Sequence, residues 1–286
     1  MIGIEKYRQL VNKAKEYYES GDVCLKNISS GKNKFDLLWC PGLDKEINMW
    51  TYWQGGSRLD NGEIKAEILL VGQDWGACKD NDDFLRQYVG FDAPLTTKYV
   101  GAINGNTNEK TDHNLIELFD YIGYPAKEEN PALFFTNLCL GYRSTSKISG
   151  GNLSVQMRHD SEYLKELICI LKPKVVICLG ASISISAVKG LVDEDELDED
   201  ELKSYKKQIR QLGSSFNKAL DNGKNWFSLK ADGHNYRLYA VAHTGFMGMS
   251  NRNRASKNGK KSADIEFMKK LMKADWTPIK EYLGKV

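Results

Sequence analysis

No apolar run in the chain approaches the roughly 20 residues that a membrane-spanning helix needs. The opening, M-I-G-I-E-K-Y-R, lacks the apolar centre of a secretory signal, so a cytoplasmic location is expected. Six cysteines are scattered over 286 residues without a C-x-x-C pair, several of them inside apolar runs. That usage suits buried thiols and argues against a disulfide frame or a zinc site. No G-x-G-x-x-G or G-x-x-x-x-G-K-S/T pattern follows the first strand-like run, so neither a dinucleotide site nor a P-loop is supported. Charge of one sign is scarce too. With a net charge of only +2, a nucleic-acid partner would require basic residues concentrated locally. What remains, 41% hydrophobic and 27% charged residues, is the composition of a soluble globular protein, long enough for one large domain or two small ones.

The most informative stretch is E-I-L-L-V-G-Q-D-W-G, from Glu67 to Gly76. Ile68 to Val71 is too short for a helix and uninterrupted by polar residues, which suits a strand buried on both faces of a parallel sheet. Gly72 allows a turn or a close ligand approach, and Gln73, Asp74 and Trp75 follow at once. In open α/β sheets ligands sit outside the carboxyl ends of strands, which is where Asp74 falls; an ordinary capping Asp is the plainer alternative.

Three more short apolar runs end on polar residues or glycine: Ala132 to Leu138 with Thr136 and Asn137, Lys174 to Gly180, and Tyr236 to His243. Helical spacing is read over Ile4 to Tyr18, Asp112 to Ile122 and Asp160 to Leu171, and a further helical stretch over Ser182 to Leu220 holds the acidic run D-E-D-E-L-D-E-D-E-L. Strands alternating with helices imply right-handed crossovers and a parallel sheet of four strands. Asp74, Asn137 and His243 then converge on one edge of that sheet. Residues 20 to 66 read as an irregular wrap and 77 to 110 as a long surface loop, a candidate binding mouth.

Beyond His243 runs G-F-M-G-M-S-N-R-N-R-A-S-K-N-G-K-K. Phe246, Met247 and Met249 would be an odd exposed cluster in a plain loop, whereas apolar wedges are how many proteins unstack DNA. Arg252, Arg254, Lys257, Lys260 and Lys261, with no acid among them, can neutralise phosphates. The plainer alternative tucks the apolar residues into the core and leaves the cations solvated.

G-Q-D-W-G at 72 to 76, F-F-T-N at 134 to 137, Y-L-K-E-L-I-C-I-L-K-P-K-V-V-I-C-L-G at 163 to 180 and A-H-T-G at 242 to 245 together resemble the uracil-DNA glycosylase superfamily, in that order. The resemblance covers residues 66 to 250. It implies a three-layer α/β/α sandwich around a four-stranded parallel sheet. It also implies that Asp74 positions or activates the attacking water, that Asn137 reads a flipped pyrimidine, and that His243 stabilises the departing base. Gly72, Gln73, Trp75 and Gly76 would line the pocket. Cleaving an N-glycosidic bond develops positive charge on the sugar and negative charge on the base, so a carboxylate and a hydrogen-bond donor on opposite sides suit the reaction.

This chain departs from the best-known branch, which carries Pro-Tyr where Trp75 and Gly76 stand, so the tyrosine that blocks the thymine methyl is missing. Other branches hold an iron-sulfur cluster on four cysteines; Cys24 and Cys40 do not supply the expected pair, so no cluster or other cofactor is expected. Thr244 and Gly245 replace the usual proline and serine. Phe91 and Tyr99 are the candidates for the aromatic that stacks on the base. The resulting expectation is a single domain: an N-terminal helix and wrap over 1 to 65, a core over 66 to 250, and a basic tract with a C-terminal helix over 251 to 286. It acts as a monomeric, cofactor-free DNA glycosylase on uracil or a modified pyrimidine. The alternatives are a glycosylase for larger or hypermodified bases, as in phage DNA, and a non-catalytic nucleic-acid-binding module.

Overall fold

A computed structural model describes residues 3–30, 33–39, 64–75, 109–126, 130, 132–144, 153–255 and 264–284. The chain begins with helix α1 (Gly3–Ser20), whose Ile4, Tyr7, Leu10, Val11, Ala14 and Tyr18 recur at three- and four-residue spacing and are buried. A small antiparallel hairpin follows, β1 (Ile28–Ser30) with β2 (Asn33–Phe35). Then comes β3 (Leu37–Leu38).

The four apolar runs become β4 (Ile68–Gly72), β5 (Leu133–Asn137), β7 (Val175–Leu179) and β9 (His234–Val241). All four are mutually parallel, in the spatial order β5, β4, β7, β9. Their uninterrupted hydrophobicity has a direct cause: alternate side chains enter two separate cores. Leu69, Val71, Phe134, Val176 and Leu238 join a cluster with α1, α3 (Ser154–Leu171) and α4 (Ala181–Leu191). Ile68, Leu70, Phe135, Ile177 and Tyr239 join a second one with α2 (Glu109–Tyr121) and α7 (Ile265–Tyr282). Burial of each such side chain stabilises the fold by about 1.5–3 kcal/mol.

The expected sheet of four strands has a fifth. β8 (Trp226–Ala231) pairs antiparallel with β9 at the edge, through a two-residue turn at Asp232 and Gly233, both at positive φ. The acidic run is the junction between α4 and α5 (Glu199–Asp221). Asp198 caps α5 in a reciprocal box with Glu201, and Glu199, Asp200 and Glu201 occupy its first turn, where negative charge complements the helix dipole. The last two helices are α6 (Phe246–Ala255) and α7. Among the described residues no helix is long and apolar enough to cross a membrane.

Candidate functional site

Gly72 and Asn137 are register partners at the ends of β4 and β5. A Cβ on Gly72 would collide with the Asn137 Oδ1, so glycine is what lets the amide lie across the strand end. The two chains stay paired beyond the sheet: Leu138 N–H donates to the Gly72 carbonyl at 2.9 Å, and Cys139 N–H to the Gln73 carbonyl at 2.8 Å. The Asn137 side chain makes no hydrogen bond among the described residues.

Asp74 is gripped by a residue that sequence reading missed. Arg143 lies on β6 (Tyr142–Arg143), a two-residue strand paired with β3. Its Nε donates to Asp74 Oδ2 at 2.6 Å and its Nη2 to Oδ1 at 3.0 Å. Both side chains are only 7% exposed, and the guanidinium also sits over the Phe35 ring, 5.4 Å from its centre. One residue along each segment, Trp75 stacks on Tyr142 with ring centres 6.0 Å apart. Two consecutive residues of the β4 loop are thus matched with two consecutive residues of β6.

The turn that delivers β6 is anchored from beneath. Asp160 of α3, fully buried, accepts from the Leu140 N–H at 2.9 Å, from Gln156 Nε2 at 2.7 Å and from the Tyr18 hydroxyl, and His159 Nδ1 lies 3.0 Å away. Burial first, and next the Asp160 carboxylate, push the Tyr18 hydroxyl well above its ordinary range, so it stays a donor. Gly141 fits because a Cβ there would strike Tyr18 and Leu37.

His243 stands two residues past β9, at the same edge of the sheet. Its strand is the second neighbour of β4, so roughly 10 Å separates the two strand ends at the usual inter-strand spacing. Gly245 N–H donates to His243 Nδ1 at 2.9 Å, which makes Nδ1 an acceptor and leaves the ring proton on Nε2. Desolvation pulls the imidazole below its ordinary 6.5, favouring this neutral form, although the residue as a whole keeps an exposed surface. Asn114 of α2 holds the loop by donating to the Thr244 carbonyl at 2.8 Å. Gly248 is required because a Cβ would run into the His243 backbone.

The residues after His243 form a helix, α6, where a loop was expected. Phe246 and Met247 are 48% and 67% exposed in its first turn, whereas Met249 is buried. Arg252 is not a phosphate ligand. It is 3% exposed, its Nε and Nη2 donate to both oxygens of Asp275, and its Nη2 also reaches Asp221 Oδ1 at 2.8 Å. A helix puts Arg252 about one and two-thirds turns beyond Phe246, on the side facing α7, which a loop reading could not anticipate. Arg254 is exposed and bonded to Asn251. Gly76, Phe91, Tyr99, Lys257, Lys260 and Lys261 lie outside the described residues. Among the described residues no three His, Cys, Asp or Glu side chains are grouped to hold a metal ion.

No family description matches the chain, and no curated protein matches it.

Proposed function

We propose that the protein is a DNA glycosylase that hydrolyses the N-glycosidic bond of a flipped uracil or modified pyrimidine. The carrying observation is the Asn137 amide, which lies on Gly72, two residues before Asp74, without a hydrogen-bond partner among the described residues and on the sheet edge shared with His243. An amide offers a donor and an acceptor together, the pair a pyrimidine edge demands. The resemblance to the uracil-DNA glycosylase superfamily supports the same three roles. Helices against both faces of the sheet support the three-layer sandwich that goes with it.

In this reading Asn137 holds the extruded base and Asp74 faces the sugar and the attacking water. The water oxygen bonds to C1′ as the C1′–N bond breaks; the base leaves with the bonding electron pair, the proton shed by the water passes to solvent by way of the Asp74 carboxylate, and the base anion takes up a proton from solvent. His243, neutral and with its proton on Nε2, donates a hydrogen bond to the charge that develops on the base. Such donors are worth about 2.7–4 kcal/mol when they meet charge present only in the transition state. Phe246 and Met247 fill the gap left in a duplex, while Arg254, Lys257 and Lys260 meet phosphates. The enzyme works as a monomer on DNA and needs no cofactor.

One observation favours a second reading, binding without catalysis: Asp74 is neutralised by Arg143, which lowers what the carboxylate offers a cationic sugar. A panel of oligonucleotides, each carrying one altered base, treated with the protein and then with alkali, separates the two. Strand breaks at a pyrimidine lesion are expected. Binding to the panel without any break would leave only the second reading.

A further inference from the structure

The proposed reaction gives Arg143 no part, yet it makes the most heavily built contact at the site. We propose that Arg143 is a positioning residue: it sets the plane and direction of the Asp74 carboxylate and thereby its usefulness to the reacting sugar and water. The inference rests on the glycosylase reading above.

Four features carry it. The contact is a fork, with Nε and Nη2 each taking a different carboxylate oxygen at 2.6 and 3.0 Å, so it fixes orientation as well as charge. Arg143 comes from a separate short ribbon, β3 with β6, whose register places it beside Leu37. That ribbon is itself tied down through Gly141, the Leu140 N–H and Asp160, so the guanidinium is held from behind. The neighbouring Trp75–Tyr142 stack braces the 74–75 segment against β6. Burial argues against a phosphate-binding role, because a guanidinium 7% exposed and already forked onto a carboxylate would have to abandon it to reach a DNA backbone. A purely structural pair is the competing account. It predicts that Arg143 matters for stability and not for the chemical step.

The experiment measures single-turnover base release and DNA affinity for wild type, Arg143→Lys, Arg143→Gln, Asp74→Asn and the double variant Arg143→Gln/Asp74→Asn. Arg143→Gln should slow base release by about thirtyfold or more with DNA affinity within about twofold, since positioning acts on the transition state and not on uniform binding. Arg143→Lys should recover part of the loss, a point charge restoring attraction without the fork. The double variant should be no slower than Asp74→Asn within about threefold, because Arg143 acts only through Asp74.

Multiplicative losses in the double variant would overturn the inference, as would full-rate release by Arg143→Gln. Weakened DNA affinity with a shallower salt dependence would overturn it in favour of a phosphate contact. If Arg143→Gln does not fold, Arg143→Lys carries the test: a rate drop of about tenfold at unchanged affinity supports the proposal, and wild-type rate refutes it. An active wild type slowed by Asp74→Asn but unaffected by the Arg143 variants sinks this inference alone, whereas a wild type that releases no base sinks the reading beneath it.

Discussion

Arg143 and Arg252 make nearly the same contact in two regions of the molecule, each guanidinium buried and forked onto an aspartate. Their settings differ. Arg252 joins three helices, with Asp221 at the end of α5 and Asp275 in α7. Burial tends to protonate Asp275, and the Arg252 hydrogen bonds and charge oppose it without cancelling it. Arg143 instead binds a carboxylate at the carboxyl end of a parallel sheet, two residues past a glycine that makes room for an amide. A buried ion pair therefore does not declare a site by itself. What distinguishes the two is the company of the aspartate: helix surfaces in one case, strand ends carrying Asn137 and His243 in the other.

The comparison breaks most visibly on stability. Arg252→Ala leaves the buried Asp275 carboxylate, and beside it the partly exposed Asp221, without their cation, and should cost about 3–5 kcal/mol in chemical denaturation, while base release by the surviving folded fraction stays at the wild-type rate. A loss below about 1 kcal/mol in that titration would mean that the helix junction is held by its apolar contacts alone.

Gly72→Ala sharpens the other side. Its Cβ must displace the Asn137 amide, so base release should fall about tenfold or more, with a smaller change in global stability than Arg252→Ala produces. Wild-type activity in this variant would remove Asn137 from the proposed chemistry.

The pH profile addresses His243. Burial lowers its folded pKa beneath the ordinary 6.5, so the neutral donor persists as pH falls past 6.5 and is lost only on passing the lower folded value. Base release should show an acid limb below 6.5, and that limb should vanish in His243→Ala. Because the unfolded chain takes up this proton first, the same group contributes stability above its unfolded value that fades as pH falls through the folded one. An acid limb centred at or above 6.5 would contradict the neutral-imidazole assignment.

The smallest effects belong to the surface of α6. Phe246→Ala should slow duplex cleavage by a few-fold and spare single strands, where no stack must be opened. Arg254→Ala should lower the salt dependence of binding by about one unit of slope and leave stability within about 0.5 kcal/mol. Equal losses on both strand forms for Phe246→Ala would give that ring a packing role.

Much of the frame was legible in the chain because parallel strands buried on both faces need unbroken apolar runs, and Ile68–Val71, Leu133–Phe135 and Val175–Leu179 are such runs. The strand ends followed, and with them Asp74, Asn137 and His243 on one edge. β8 escaped because an edge strand alternates polar and apolar residues; the Asp232–Gly233 pair was the available hairpin signal. Arg143 was illegible for another reason: it lies 69 residues from Asp74 in sequence, and only the ribbon with β3 brings it back. Arg252 was misread because a basic tract looks the same whether it faces solvent or an aspartate on another helix.

The central claim is that the strand-end constellation breaks a glycosidic bond. Its most direct measurement is single-turnover base release from the best panel substrate by wild type, Asp74→Asn and His243→Ala. The account predicts a loss of at least about a hundredfold in each variant with DNA affinity retained. Full turnover by both variants would contradict it.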